Sequence, residues 1–242
     1  PAPMSSPSLP TSMKRLVVTA PGDTVASCKI ELQTVPVPTP GPGELLIKVA
    51  AAAINPSDYG AWRMTPKAKC PSPMGNEGSG VVVASGGGIG TWGKGVGSKV
   101  GFIGLKGGQG AYSEYVVANG MEAVFTLPDG VAVEDAASFF VNPYTVLGIF
   151  DTARRAGASA LVHTAAASQL GVMMVKLAPE AGLEVVNVVR REEQAEMLRG
   201  LGAKHVVVSG GSGEEAVAEY KRVLKEKIKE VGATVAFDAV AG

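Results

Sequence analysis

The stretch ALVHTAAASQLGVMMVKLAPEAGLEVVNVVRR, residues 160–191, decides how the chain is read. A short apolar run is followed by a turn of small residues, an apolar pattern with helical spacing, and a second apolar run, EVVNVV. A pyrophosphate binds at a helix N-terminus through backbone N–H groups, so a turn that serves it must let the ligand approach the main chain closely. Ala165, Ala166, Ala167, Ser168 and Gly171 meet that need; only the last glycine of a GxGxxG fingerprint is present, leaving AxxSxxG. Arg190 and Arg191 close the second strand. An NAD site carries Asp or Glu there for the ribose 2′-hydroxyl, whereas an NADP site carries a cation for the 2′-phosphate. The stretch therefore predicts NADPH as cofactor. The other reading of the two arginines is that they open the next helix beside Glu192 and Glu193 and are solvated.

Working outward, strand and helix alternate to the end of the chain. The pattern predicts strand 160–165, helix 169–181, strand 184–189, helix 192–200, strand 204–208, helix 214–231 and strand 233–239, hence a parallel sheet covered by helices. Val217, Tyr220, Leu224, Ile228 and Val231 form one stripe of the 214–231 helix. Upstream, residues 133–156 have helical spacing with Pro143 as a local break. His163 and His205 lie on predicted strands with no second ligand at metal spacing, so both read as structural. A complete dinucleotide sheet has about six strands, and four are visible before the sequence ends. Either this is part of a longer protein, or a shortened chain whose edge after VAFDA is covered by a homodimer partner or another subunit.

The first half reads as mostly β. RLVVT, ASCKIELQTVPVP and ELLIKVAAAAI are strands, with Ser57 or Asp58 as the cap of a short helix inside INPSDYGAWRM. Gly88, Gly90 and Gly93 match GxGxxG by letter, but GKGVGSK follows where a helix should start, so they read as loop glycines with positive φ. Residues 1–13 are rich in Ser and Pro and contain no acid; they read as a flexible tail or as the remnant of an organelle transit peptide. Lys+Arg and Asp+Glu balance at 22 each, which speaks against a nucleic-acid partner and for a small-molecule substrate. No apolar run reaches the length of a membrane span, and Cys28 with Cys70 makes no disulfide framework, which suits a cytoplasmic or organelle-matrix location.

Several motifs in order, INPSD (54–58), GNEGSGVV (75–82), GAYSEY (110–115), NPYT (142–145), AxxSxxG (165–171), NVVR (187–190) and LGAKHVV (201–207), resemble the medium-chain dehydrogenase/reductase superfamily in its zinc-independent quinone oxidoreductase and enoyl-thioester reductase branch. The resemblance implies an α/β protein: a GroES-like, mostly-β barrel domain over 14–132, and a Rossmann NADP-binding domain over 133–242 truncated after its fourth strand. It implies hydride transfer from NADPH to a quinone or activated carbonyl, with enoyl-thioester reduction, or a catalytically silent scaffold that keeps the fold, as alternatives. It places Asn55, Asp58 and Tyr59 near the substrate as catalytic candidates. Asn142, Thr145, Ala165, Ala167, Ser168, Gln169, Leu170, Gly171, Asn187, Arg190, Arg191 and Val240 become the cofactor contacts. Asn76 stands where zinc-using members have His, which implies a metal-free site, and Pro66 stands where the enoyl reductases carry their catalytic Tyr.

Overall fold

The structure is a computed structural model that describes residues 9–104 and 110–240. The chain forms two compact units, residues 1–141 and 142–242. Most of the stretch read as a tail, residues 1–8, lies outside the described residues, as do 105–109 and the last two positions. No described helix is long and apolar enough to cross a membrane.

The first unit holds β1 (Ser12–Ala20), β2 (Lys29–Pro36), β3 (Glu44–Ala52), α1 (Pro56–Met64), β4 (Ser72–Pro73), β5 (Glu77–Ser85), β6 (Lys99–Ile103), β7 (Tyr115–Asn119) and β8 (Val124–Thr126). They make two antiparallel sheets, ordered β2-β1-β4 and β7-β3-β5-β6-β8. The core of the larger sheet is Leu45, Ile47, Val82, Val100, Phe102, Val116 and Val124. The central pair β3–β5 runs close because β5 is thin: a Cβ on Gly80 would sit 2.2 Å from the Lys48 carbonyl oxygen. β1 starts inside the stretch read as tail, since Met13 is buried against Leu46, Tyr115 and Val117. Gly88 (φ +90°) and Gly93 (φ +73°) are loop glycines, as their surroundings in the sequence predict, whereas Gly90 lies inside the 3-10 turn Ile89–Thr91 and does not take the positive φ expected of it.

Residues 133–141 pack within this unit. Ser79 Oγ donates to the Val133 carbonyl, the Phe139 ring lies over Gly101 and against Phe125 (centroids 5.5 Å apart), and a 3-10 turn covers Asp135–Ser138. Pro143 does not break the helix that follows. It falls in the first turn, where a missing N–H costs nothing.

The second unit is α2 (Val141–Arg155, from the last residue of the first unit), β9 (Ala160–His163), α3 (Gln169–Ala181), β10 (Glu184–Val189), α4 (Glu192–Gly200), β11 (His205–Val208), α5 (Glu214–Val231) and β12 (Val235–Phe237). The four strands are parallel, in the order β11-β10-β9-β12. Side chains alternate between faces. Leu161, Val185 and Val189 face the side covered by α2, α3 and α4, while Val162, Val186, Val188 and Val207 face α5. The stripe of α5 that meets the sheet is Tyr220, Val223, Leu224, Ile228 and Val231; Val217 is 44% exposed, so the first turn of α5 projects past the sheet and Val223 takes the expected place.

His163 is fully buried at the end of β9, and neither ring nitrogen has a partner among the described residues. Desolvation pushes its pKa down from 6.5 to about 4, with Asp238 opposing. The unfolded chain thus binds more protons between these values, and the stability contributed by neutral His163 is complete above pH 6.5 and lost as pH falls through 4. A drop of about 3 kcal/mol in unfolding free energy is expected over that window. Urea titrations at several pH values would measure it, and His163→Leu should remove this part of the slope; an unchanged slope in the variant would assign the acid sensitivity elsewhere.

Candidate functional site

In the second unit, β9 runs into a turn that reverses the chain into α3. Ala165 adopts φ +50°, the only positive φ at a non-glycine among the described residues, a conformation that costs roughly 1–2 kcal/mol for an L-residue. The Ala166 amide donates to the Val188 carbonyl of β10, and the Ser168 amide to Ala165. Ser168 is the N-cap of α3, its Oγ accepting from the Gly171 amide at 3.2 Å. Gly171 is needed for contact rather than φ: a Cβ there would lie 2.0 Å from the Ala166 carbonyl oxygen. The turn and the first helical turn are therefore in backbone contact, and the positive end of α3 faces outward.

The C-terminal ends of the strands open onto a cavity of about 680 Å³ lined by Thr164, Ala165, Ala167, Ser168, Val188, Val189, Arg190, Gln194, Ser209, Tyr220, Asp238 and Val240. It lies where the sheet order reverses, outside the carboxyl ends of β9 and β12, the place where open parallel sheets bind ligands. Thr164 Oγ1 donates to Asp238 and accepts from the Ala239 amide, closing the floor. Gln194 Oε1 accepts from the amides of both Arg190 and Arg191, at 3.1 and 3.2 Å, and fixes the end of β10. No carboxylate pairs with Arg190 among the described residues; Arg191 is the N-cap of α4, 3.7 Å from Glu193.

The structure therefore brings Ala165, Ala167, Ser168, Arg190 and Val240 to one cavity. Gln169, Leu170 and Gly171 form the first turn of α3 behind it. Arg191 is turned to its own helix. Asn187 is also set apart: it is buried beside His163 in the ladder, its Nδ2 donating to the Val185 and His205 carbonyls, and it lines a separate depression with Leu183 and Ala203. Asn142 and Thr145 lie in the first turn of α2 and do not line the cavity. The sequence reading missed Thr164, Gln194, Ser209, Tyr220 and Asp238. The first and last flank the small-residue turn and the final strand, so their strand-end position was the available signal.

In the first unit, the loop into α1 carries a polar cluster. Glu77 is fully buried, and its oxygens accept from Asn55 Nδ2 at 2.7 Å and from the Phe140 and Val141 amides at 2.8 and 2.9 Å. Asp58, 1% exposed, accepts from the Asn55 amide at 2.7 Å and the Asn76 amide at 3.1 Å. Burial raises its pKa, against hydrogen bonds from those amides and from Tyr112. Burial, then the Asp58 charge, likewise raises that of Tyr112, whose hydroxyl donates to the Ala53 carbonyl at 2.9 Å. The helix cap is Asn55, with Pro56 behind it and Asp58 reaching back from the third position, not Ser57 or Asp58 as the spacing suggested. Asn55 and Asp58 are thus both enclosed and held by these hydrogen bonds. Tyr59 is 37% exposed, with its ring edge on Trp62 at 5.7 Å. Among the described residues, no three His, Cys, Asp or Glu side chains converge to hold a metal ion.

Residues 41–129 match the alcohol dehydrogenase GroES-like domain. A candidate NADPH:quinone reductase from Mesorhizobium loti is 32% identical, with a TM-score of 0.80 over 97% of this chain and 69% of that one. The chain belongs to the medium-chain dehydrogenase/reductase superfamily. Within this family of oxidoreductases, a mycobacterial protein solved with NADPH is 27% identical, with a TM-score of 0.70 over 89% of this chain and 63% of that one. Bovine mitochondrial enoyl-[acyl-carrier-protein] reductase is 30% identical over 217 residues, covering 85% of this chain and 55% of the relative. The chain spans about half the length of the curated enoyl reductases it matches.

The contact under the small-residue turn makes a direct test. Gly171→Ala is expected to lower the unfolding free energy by about 1–3 kcal/mol, seen as a lower urea midpoint at unchanged slope; a midpoint equal to that of the wild type would show that the turn has slack.

Proposed function

We propose that the protein is an NADPH-dependent oxidoreductase that transfers a hydride to a quinone or an α,β-unsaturated carbonyl compound. The observation that carries this reading is the Arg190 guanidinium, without a carboxylate partner among the described residues, at the rim of a cavity lined by a small-residue turn at a helix N-terminus. The fit is specific: the α3 N-terminus and the close main chain of Ala165–Ser168 suit a pyrophosphate, and Arg190 offers a planar cationic fork for a 2′-phosphate. The presence of NADPH in the mycobacterial relative supports the choice.

Bound NADPH supplies the hydride. The residues of the chain do the rest: they hold the dinucleotide, and they provide a proton and hydrogen bonds where the acceptor gains charge. Tyr59, exposed next to the buried Asp58, is the proton donor in this reading. The site works without zinc, because Asn76 is a poor ligand and the nearby carboxylates are committed to amides. Enoyl-thioester reduction is the second reading, favoured by the names of the curated relatives and set against Pro66 at the position of the tyrosine expected for that chemistry.

Arg190→Ala should weaken NADPH about 10- to 100-fold, as for loss of a charge-assisted hydrogen bond, and leave NADH nearly unchanged. Arg191→Ala should do much less. Nicotinamide fluorescence on titration of each cofactor measures both, and equal losses for NADPH and NADH would remove the 2′-phosphate assignment.

A further inference from the structure

Three connections meet at one end of the five-stranded sheet of the first unit. Leu45 pairs with Ser85 and Glu44 with Asn119, so the turn before β3, the loop from β5 to β6 and the link from β7 to β8 leave the sheet together. They are held against one another: the Gly43 amide donates to the Gly87 carbonyl, the Gly120 amide to the Gly43 carbonyl, and Lys94 Nζ to the Gly120 carbonyl. A Cβ on Gly120 would lie 2.2 Å from the Gly90 carbonyl oxygen, so no side chain separates the link from the loop. Asn55 and Glu77 lie at the opposite end, where β3 finishes and β5 begins.

This end presents Ile89, Trp92, Val96 and Met121, each 63–76% exposed. Apolar side chains grouped in this way mark a surface that meets another phase or another molecule. The backbone that carries them projects: a Cβ added at Gly87, Gly93, Gly95 or Gly97 would meet nothing within 4 Å. A folded partner would need a recess shaped to such a loop, whereas a fluid bilayer closes around whatever enters it. The charge fits the second case. No Asp or Glu occurs between Glu77 and Glu114, and the cations flanking the exposed Trp92 are Lys94 and the exposed Lys99, a complement to lipid phosphates. The acids on the neighbouring connections are Glu44, which accepts from the Gly41 amide, and Glu122 beside Met121.

We propose that this end of the first unit docks on a phospholipid bilayer, with the four apolar side chains at the boundary between headgroups and acyl chains and Lys99 among the phosphates. Trp92 suits that depth, since indole has an apolar body and one N–H donor. The association is peripheral and reversible, because four side chains bury far less apolar surface than a spanning helix. It is independent of the reductase reading, and its test needs no cofactor.

The test uses the purified chain with vesicles of phosphatidylcholine alone and of phosphatidylcholine mixed with phosphatidylglycerol, read by co-sedimentation and by tryptophan emission. The chain has two tryptophans, and Trp62 is buried beside Val18 and Met74, so a change of emission on adding vesicles reports Trp92. Emission should shift to the blue, and lipids brominated in their acyl chains should quench it. Trp92→Ser should weaken partitioning about 10- to 100-fold, as for loss of one large apolar side chain. Ile89→Ser should act in the same direction, and Trp92→Phe should keep most of the binding. Lys99→Gln should cost about fivefold on vesicles with phosphatidylglycerol and little on phosphatidylcholine alone. The altered side chains are exposed, so the urea midpoint of each variant should match that of the wild type. Absence of a blue shift with either vesicle, or Trp92→Ser co-sedimenting like the wild type, would overturn the proposal. So would a concentration-dependent dimer that Trp92→Ser abolishes without any vesicle binding, since the patch would then meet a second copy of the chain.

Discussion

Glu77 sits in the first unit with no exposure to water, and a carboxylate in that position is tenable only if each oxygen is met by donors. The three it receives come from distant parts of the sequence: the Asn55 side chain and the amides of Phe140 and Val141. The two amides belong to the last residues of the first unit. One buried group thereby ties the entry to α1 to the end of that unit. Removing it would leave an amide side chain and two backbone donors unsatisfied in a closed space, which is costlier than the loss of the bonds themselves.

Asp58 extends the same logic one turn further. It takes the amides of Asn55 and Asn76, so the loop before α1 and the start of β5 are joined through a second enclosed carboxyl group. The consequence is a division of labour along five residues. Asn55 and Asp58 are buried and hydrogen-bonded, and Ser57 and Tyr59 are exposed on the segment they anchor.

The second unit depends on a different constraint, the closeness of two backbones. The Ala166 carbonyl and Gly171 leave no room for a side chain between them, and Ala165 takes a left-handed turn to make the approach. Much of this unit was legible in the sequence: helices 169–181, 192–200 and 214–231 have the bounds their periodicity predicts, and the strands differ by a few end residues. Parallel strands buried on both faces and amphipathic helices write strong local patterns. The first unit was less legible. The helix spacing over 133–156 hid the fact that 133–141 pack with β5 and β6, because what holds them, Ser79, Gly101 and Glu77, lies more than thirty residues away.

The same distinction runs through the candidate site. The order of small-residue turn, helix and basic strand end is a local property, and by itself it determined a dinucleotide-type β-α-β unit and the preference for a cation near its rim. Only tertiary structure decided that Arg190 lines the cavity while Arg191 caps α4, since that choice turns on Gln194 gathering both amides and on the direction each side chain then takes. Tertiary structure likewise decided that Asn187 faces the interior and that the helix cap is Asn55. Composition and spacing record which residues are near in sequence, whereas burial and hydrogen-bond partners are set by segments that meet only when the sheets close.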